Sequence, residues 1–112
     1  MRNDLAAMRQ IVGCRLDNTL RLHRLLVNFT VGCVALEAYL SETPEITTDY
    51  VAQRIGQISD DTARRRLAKM YRAGVLDCRK LGRTCFYRLR PAIAAEAVPL
   101  FVELHQAVRR ND

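Results

Sequence analysis

The chain of 112 residues has no tryptophan, four tyrosines, three phenylalanines, three prolines and five glycines. So little Pro and Gly, with no low-complexity tract, excludes a linker-like or disordered chain and predicts folding throughout. The scarcity of aromatics argues against single-stranded nucleic acid as a partner, because that mode stacks bases on exposed rings. Phe29, Tyr71, Phe86 and Tyr87 are expected in the core instead. Long apolar runs are also missing. The least charged stretch, Leu25 to Leu36, lies between Arg24 and Glu37 and falls short of the roughly 18 residues a bilayer crossing needs. No basic segment leads into an apolar run at the start, so a cytoplasmic chain without a membrane partner is the expectation.

Catalytic signatures are absent too. No Gly-rich phosphate loop or carboxylate pair stands out, and neither His23 nor His105 has a nucleophile pattern near it. Neither an enzyme nor a cofactor is expected. The four cysteines, Cys14, Cys33, Cys78 and Cys85, lack the Cys-x-x-Cys or Cys/His spacing of a zinc site.

What is present is basic charge in one place. The formal net charge is +6, yet Arg54 to Arg90 holds 11 Lys or Arg against three Asp, a local balance of +8. The segments on either side each come to −1. A charge run is often a solvated face, but this concentration is also the footprint of a nucleic-acid surface.

Periodicity orders the chain. Leu5, Met8, Ile11 and Val12 suggest a short first helix, and Asp17-Asn18-Thr19 a cap for a second. Leu22, Leu25, Leu26, Phe29, Cys33, Leu36 and Leu40 then fall on one helical stripe, predicting a long helix from Leu20 to Leu40. Val27, Val31, Val34 and Ala38 form a second row, which calls for a second covering surface. Pro44 follows the end of that helix. Thr47 or Thr48 starts a helix over Asp49 to Ile55 that stops at Gly56. Ser59 caps the next, with Ala63, Leu67, Met70 and Tyr71 on its buried face and Gly74 at its end. From Val75 the period becomes two, and strands on either side of Leu81-Gly82-Arg83 read as a hairpin. Beyond Pro91 a final helix carries Ile93, Val98, Phe101, Val102 and Leu104, with Pro99 at its first turn or at a kink.

Two short helices, a hairpin with a basic tip and flanking helices give the order of a winged helix. Ile46 to Leu89 resembles the winged helix-turn-helix of bacterial regulators such as the MarR-like group. Ala52 stands where that pattern has a small residue. Gly56, Ile58 and Ser59 match the turn and cap, with Gln57 as an extra residue. Thr62-Ala63-Arg64-Arg65 stands in the recognition helix, Gly74-Val75-Leu76 at the entry to the wing, and Gly82-Arg83 and Tyr87-Arg88-Leu89 at its tip and return strand. The resemblance implies one mainly α domain with a β-wing. Its parts are residues 1–45 for the N-terminal helices, 46–90 for the winged helix-turn-helix and 91–112 for the C-terminal helix.

The implied function is binding of double-stranded DNA by a dimeric transcription regulator. Ser59, Asp60, Thr62, Arg64, Arg65, Arg66, Lys69 and Arg72 are assigned to the recognition helix, and Arg79, Lys80 and Arg83 to the wing. One of Asp60 and Asp61 is expected to orient an arginine. Val27, Val31, Val34, Ala38, Phe101, Val102 and Leu104 are assigned to the dimer. A small-molecule effector between the dimer helices and the DNA-binding unit stays open as a partner. The alternative is a winged-helix module that docks a protein. If the hairpin loop is Leu81-Gly82, Cys78 and Cys85 lie opposite each other, where a redox pair is geometrically allowed; a loop shifted by one residue removes that pairing.

Overall fold

Residues 17–26 are helical (α1), followed by α2 over Phe29–Tyr39, α3 over Thr48–Ile55 and α4 over Asp60–Arg72. Strands β1, Leu76–Leu81, and β2, Thr84–Leu89, precede the last helix, α5, Pro91–Asn111. This is a computed structural model, and it describes residues 17–111. The expected first helix around Leu5 to Val12, and Cys14, lie outside the described residues.

The long helix expected from Leu20 to Leu40 is two helices. Val27 takes a left-handed backbone (φ 69°), costly for a β-branched residue. Asn28 then caps α2, its side-chain oxygen accepting from the Val31 N–H at 3.0 Å. Periodicity did not reveal the break because apolar spacing continues across it, whereas the cap signal is the single Asn28. The two helices meet closely at Gly32, where a Cβ would stand 2.6 Å from Leu26 Cδ1 and 2.7 Å from Leu26 Cβ. Gly32→Ala is therefore expected to overpack this corner and lower stability by roughly 1–3 kcal/mol, measured as a lowered urea midpoint at unchanged slope.

The core also takes residues from both rows of the predicted helix. Val31, Val34 and Ala38, assigned to a dimer face, are buried in the core of the single chain, and Val27 is half-buried. Of the stripe assigned to the core, Leu22, Leu26 and Leu36 are buried, Leu25, Phe29 and Cys33 are half-buried, and Leu40 is 53% exposed. α2 is the central helix, touching α3, α4, α5 and β2, so its second row is covered from within. Phe101 is likewise buried, Leu104 half-buried and Val102 40% exposed.

α5 runs through Pro99 without interruption. Proline deprives the Ala95 carbonyl of its helical donor, but Ala95 is exposed to water, so Pro99 stands inside the helix and not at its first turn. Asn18 Nδ2 donates to Glu103 Oε2 at 3.2 Å, tying α1 to α5.

α4 ends in two reverse bonds, Val75 N–H to the Met70 carbonyl at 3.0 Å and Gly74 N–H to that of Tyr71 at 3.1 Å. This termination aims the chain into β1. The hairpin closes over Gly82-Arg83, one residue later than the Leu81-Gly82 alternative, with Gly82 at φ 62° as a two-residue turn of this hand requires. Ile46 adds a short third rung: its N–H and carbonyl both bond Tyr87 at 2.8 Å.

Candidate nucleic-acid interface

The rotation of α4 is set by its apolar stripe. Ala63, Leu67 and Met70 are fully buried, so Arg65, Lys69 and Arg72 stand on the opposite, exposed face. Tyr71, expected in the core, is 46% exposed. Arg66 is half-buried beside the stripe. Acidic residues in the first turn and basic ones in the last agree with the helix dipole.

At the N-terminus, Ser59 Oγ accepts the Thr62 N–H at 3.1 Å and donates to Thr62 Oγ1 at 3.0 Å. Asp61 holds Arg65 at 3.0 Å and Arg64 at 3.8 Å, the orienting role expected of one of the two acids. Such exposed pairs are worth about 1 kcal/mol or less, so either arginine can exchange Asp61 for a stronger anionic partner. Asp60 is exposed.

The wing faces α4 with one side only. Cys78, Lys80, Cys85 and Tyr87 share that side and line a cleft with Ala68, Tyr71 and Arg72 of α4. Nearer the tip, Arg83 and Thr84 line a second cleft with Arg64 and with Thr47, Thr48 and Asp49 at the start of α3. Arg72 and Lys80 thus line one cleft and Arg64 and Arg83 the other, and Cys85 and Tyr87 line both. Thr47, Thr48 and Thr84 line the second cleft and were not among the residues the sequence reading assigned. The place of Thr47 and Thr48 opposite Thr84 of the wing is set by tertiary packing, and Thr47 signals itself in sequence only as a cap.

Arg79 does not join them. Alternation along β1 turns it to the outer side, where its guanidinium bonds both Glu45 oxygens at 3.0 and 3.2 Å and lies 4.7 Å from the Phe86 ring centre. The hydrogen bond from Arg79 holds the Glu45 carboxyl below its ordinary range, so the stability this contact contributes is present above the unfolded pKa and lost as pH falls through the folded one. Arg54 pairs with Glu37 at 3.1 Å and Arg90 with Asp77 at 3.0 Å. These carboxylates neutralise three arginines of the basic block away from the groove. Among the described residues no ion pair holds Arg66, Lys69, Arg72, Lys80 or Arg83, and all five lie on α4 or the wing.

No family model and no curated protein match this sequence. Solved structures do. The type III plasmid segregation protein TubR superposes with a TM-score of 0.57 at 24% identity, covering 77% of this chain and 85% of that one. A TubR mutant gives the same score over 80% and 93%. The transcriptional repressor BigR from Xylella fastidiosa superposes at 0.51, also at 24% identity, over 91% and 94%. The fold is a winged helix-turn-helix. In this winged helix α3 and α4 are the helix-turn-helix and the β1–β2 hairpin is the wing. Among the described residues no group of three or more His, Cys, Asp or Glu is placed to hold a metal ion, and no helix is long and apolar enough to cross a membrane.

Proposed function

We propose that this chain binds double-stranded DNA as a dimeric transcription regulator, with α4 in the major groove and the wing on the adjoining backbone or minor groove. The observation that carries the reading is the unpaired positive charge gathered on one face of a winged helix. A helix of this kind fits the major groove, where base edges are distinguishable, and a cationic wing suits phosphates. On α4, Arg65, Lys69 and Arg72 reach outward as base or phosphate readers. Ser59 and Thr62 order the N-terminal turn, and their backbone N–H groups suit a phosphate. Arg64, Lys80 and Arg83 grip the backbone, and Arg79 fixes the wing's attitude through Glu45. Two copies then meet two half-sites about one helical turn apart. They join through outward residues of α5 and the end of α2, Val102 and Leu40, with half-buried Leu104 beside them, in place of the buried second row.

The test is anisotropy of a labelled random duplex across salt concentrations. Log K is expected to fall linearly with log salt, by about 0.9 per phosphate neutralised. Arg83→Ala is expected to weaken binding to all sequences alike and flatten the slope by up to about one unit. Salt-independent binding, or none to any duplex, overturns the reading in favour of a protein-docking module. On a selected site, Arg65→Ala is expected to lose roughly 1–3 kcal/mol if it pairs bidentately with guanine. Equal losses on random duplex make it a phosphate contact.

A further inference from the structure

DNA binding leaves Cys78 and Cys85 unused. The observed register pairs Cys78 with Tyr87 and Lys80 with Cys85, so the two cysteines are diagonal neighbours on the inner side of the wing. Both are half-exposed free thiols in the cleft with Ala68, Tyr71 and Arg72.

A disulfide suits this arrangement poorly. Diagonal positions are typically about 7–8 Å apart, while a disulfide spans about 4.4–6.8 Å between Cα atoms. A metal ion between the sulfurs adds a second bond, and two metal–sulfur bonds of about 2.3 Å reach roughly twice as far as one S–S bond of about 2.05 Å. No third His, Cys, Asp or Glu joins the pair among the described residues, so four-coordinate zinc and oxygen-loving cations lack their ligands. Two thiolates in an open cleft suit a soft ion of low coordination number.

We propose that Cys78 and Cys85 form a two-thiolate site for a soft monovalent cation of the Cu(I) class, in the groove between wing and recognition helix. Each thiol loses its proton to solvent as one sulfur–metal bond forms. Two protons leave, no electron is transferred, and the site passes from neutral to a charge of −1. Metal binding with loss of both protons places negative charge there. That charge arises between Arg72 and Lys80, so the loaded site weakens DNA binding. This consequence rests on the DNA-binding reading; the metal site does not.

The experiment uses full-length chain carrying Cys14→Ser and Cys33→Ser, reduced without thiols under anaerobic conditions. Cu(I) is supplied in competition with a chromophoric Cu(I) chelator. One Cu(I) per chain is expected, and adding Cys78→Ser or Cys85→Ser is expected to weaken it roughly 10²–10⁴-fold, the gain of joining two ligands on one scaffold. Cys78→Ala and Cys85→Ala provide a second pair, and circular dichroism identifies those that keep the fold. Binding unchanged in folded variants, or one Cu(I) bridging two chains, overturns the site. Duplex anisotropy with and without Cu(I) forms the second arm, where loading is expected to weaken binding. Stoichiometric Cu(I) with no DNA binding in either form supports the site and removes the DNA reading. DNA binding without stoichiometric Cu(I) does the reverse.

Discussion

Replacing Val31 by aspartate is expected to unfold the domain, whereas Val102→Asp is expected to leave it folded. Val31 is fully buried in the first turn of α2, and among the described residues no polar or charged residue is buried. An aspartate there has no partner and must be buried charged or forced neutral, costing about 4 kcal/mol or more. That is comparable with the whole stability of a small domain, about 5–15 kcal/mol. Urea unfolding is expected to show the Val31→Asp transition lost or its midpoint at least halved. Val102→Asp should unfold near the wild-type midpoint and, in sedimentation equilibrium at micromolar concentration, shift dimers to monomers. A folded, monomeric Val31→Asp protein would return the second row to the subunit interface.

The double reversal Arg72→Glu with Arg83→Glu is expected to have the largest effect on DNA. Both side chains are exposed and have no ion-pair partner among the described residues, so the fold should tolerate the change within about 0.5 kcal/mol per site. Losing two cationic phosphate contacts costs about a factor of ten each near 0.1 M salt, and reversal adds repulsion, for a total of roughly 10²–10⁴-fold. Arg88→Glu with Arg90→Glu makes the same change in net charge. Arg88 lies over Tyr39, and Arg90 pairs with Asp77. Anisotropy of one duplex with both double variants separates site from net charge. Equal losses mean that no groove is involved.

The helix-turn-helix was legible because its signals are local. Thr47, Ser59 and Gly56 end or start helices where caps belong, and Ala63, Leu67 and Met70 turn α4 to its buried face. The change of period after Val75 located the hairpin. The break at Val27 and Asn28 was not legible, since apolar spacing runs through it. Nor was the loop register, where one residue separates a facing cysteine pair from a diagonal one.

By itself, the sequence determined the winged helix-turn-helix order, the caps and the concentration of charge between Arg54 and Arg90, because each depends on neighbours within about one helical turn. Tertiary structure alone decided which of those charges remain unpaired. Arg79 is bound to Glu45 across 34 residues of chain, and Arg54 to Glu37 across 17, while Lys69, Arg72 and Arg83 form no ion pair among the described residues. It also decided that Val31, Val34 and Ala38 are core, because the break at Val27 and Asn28 sets Leu26 against Gly32 and α3, α4, α5 and β2 close over α2. Periodicity reports that a face must be covered; only the packing of distant segments determines whether the cover is the same chain or another.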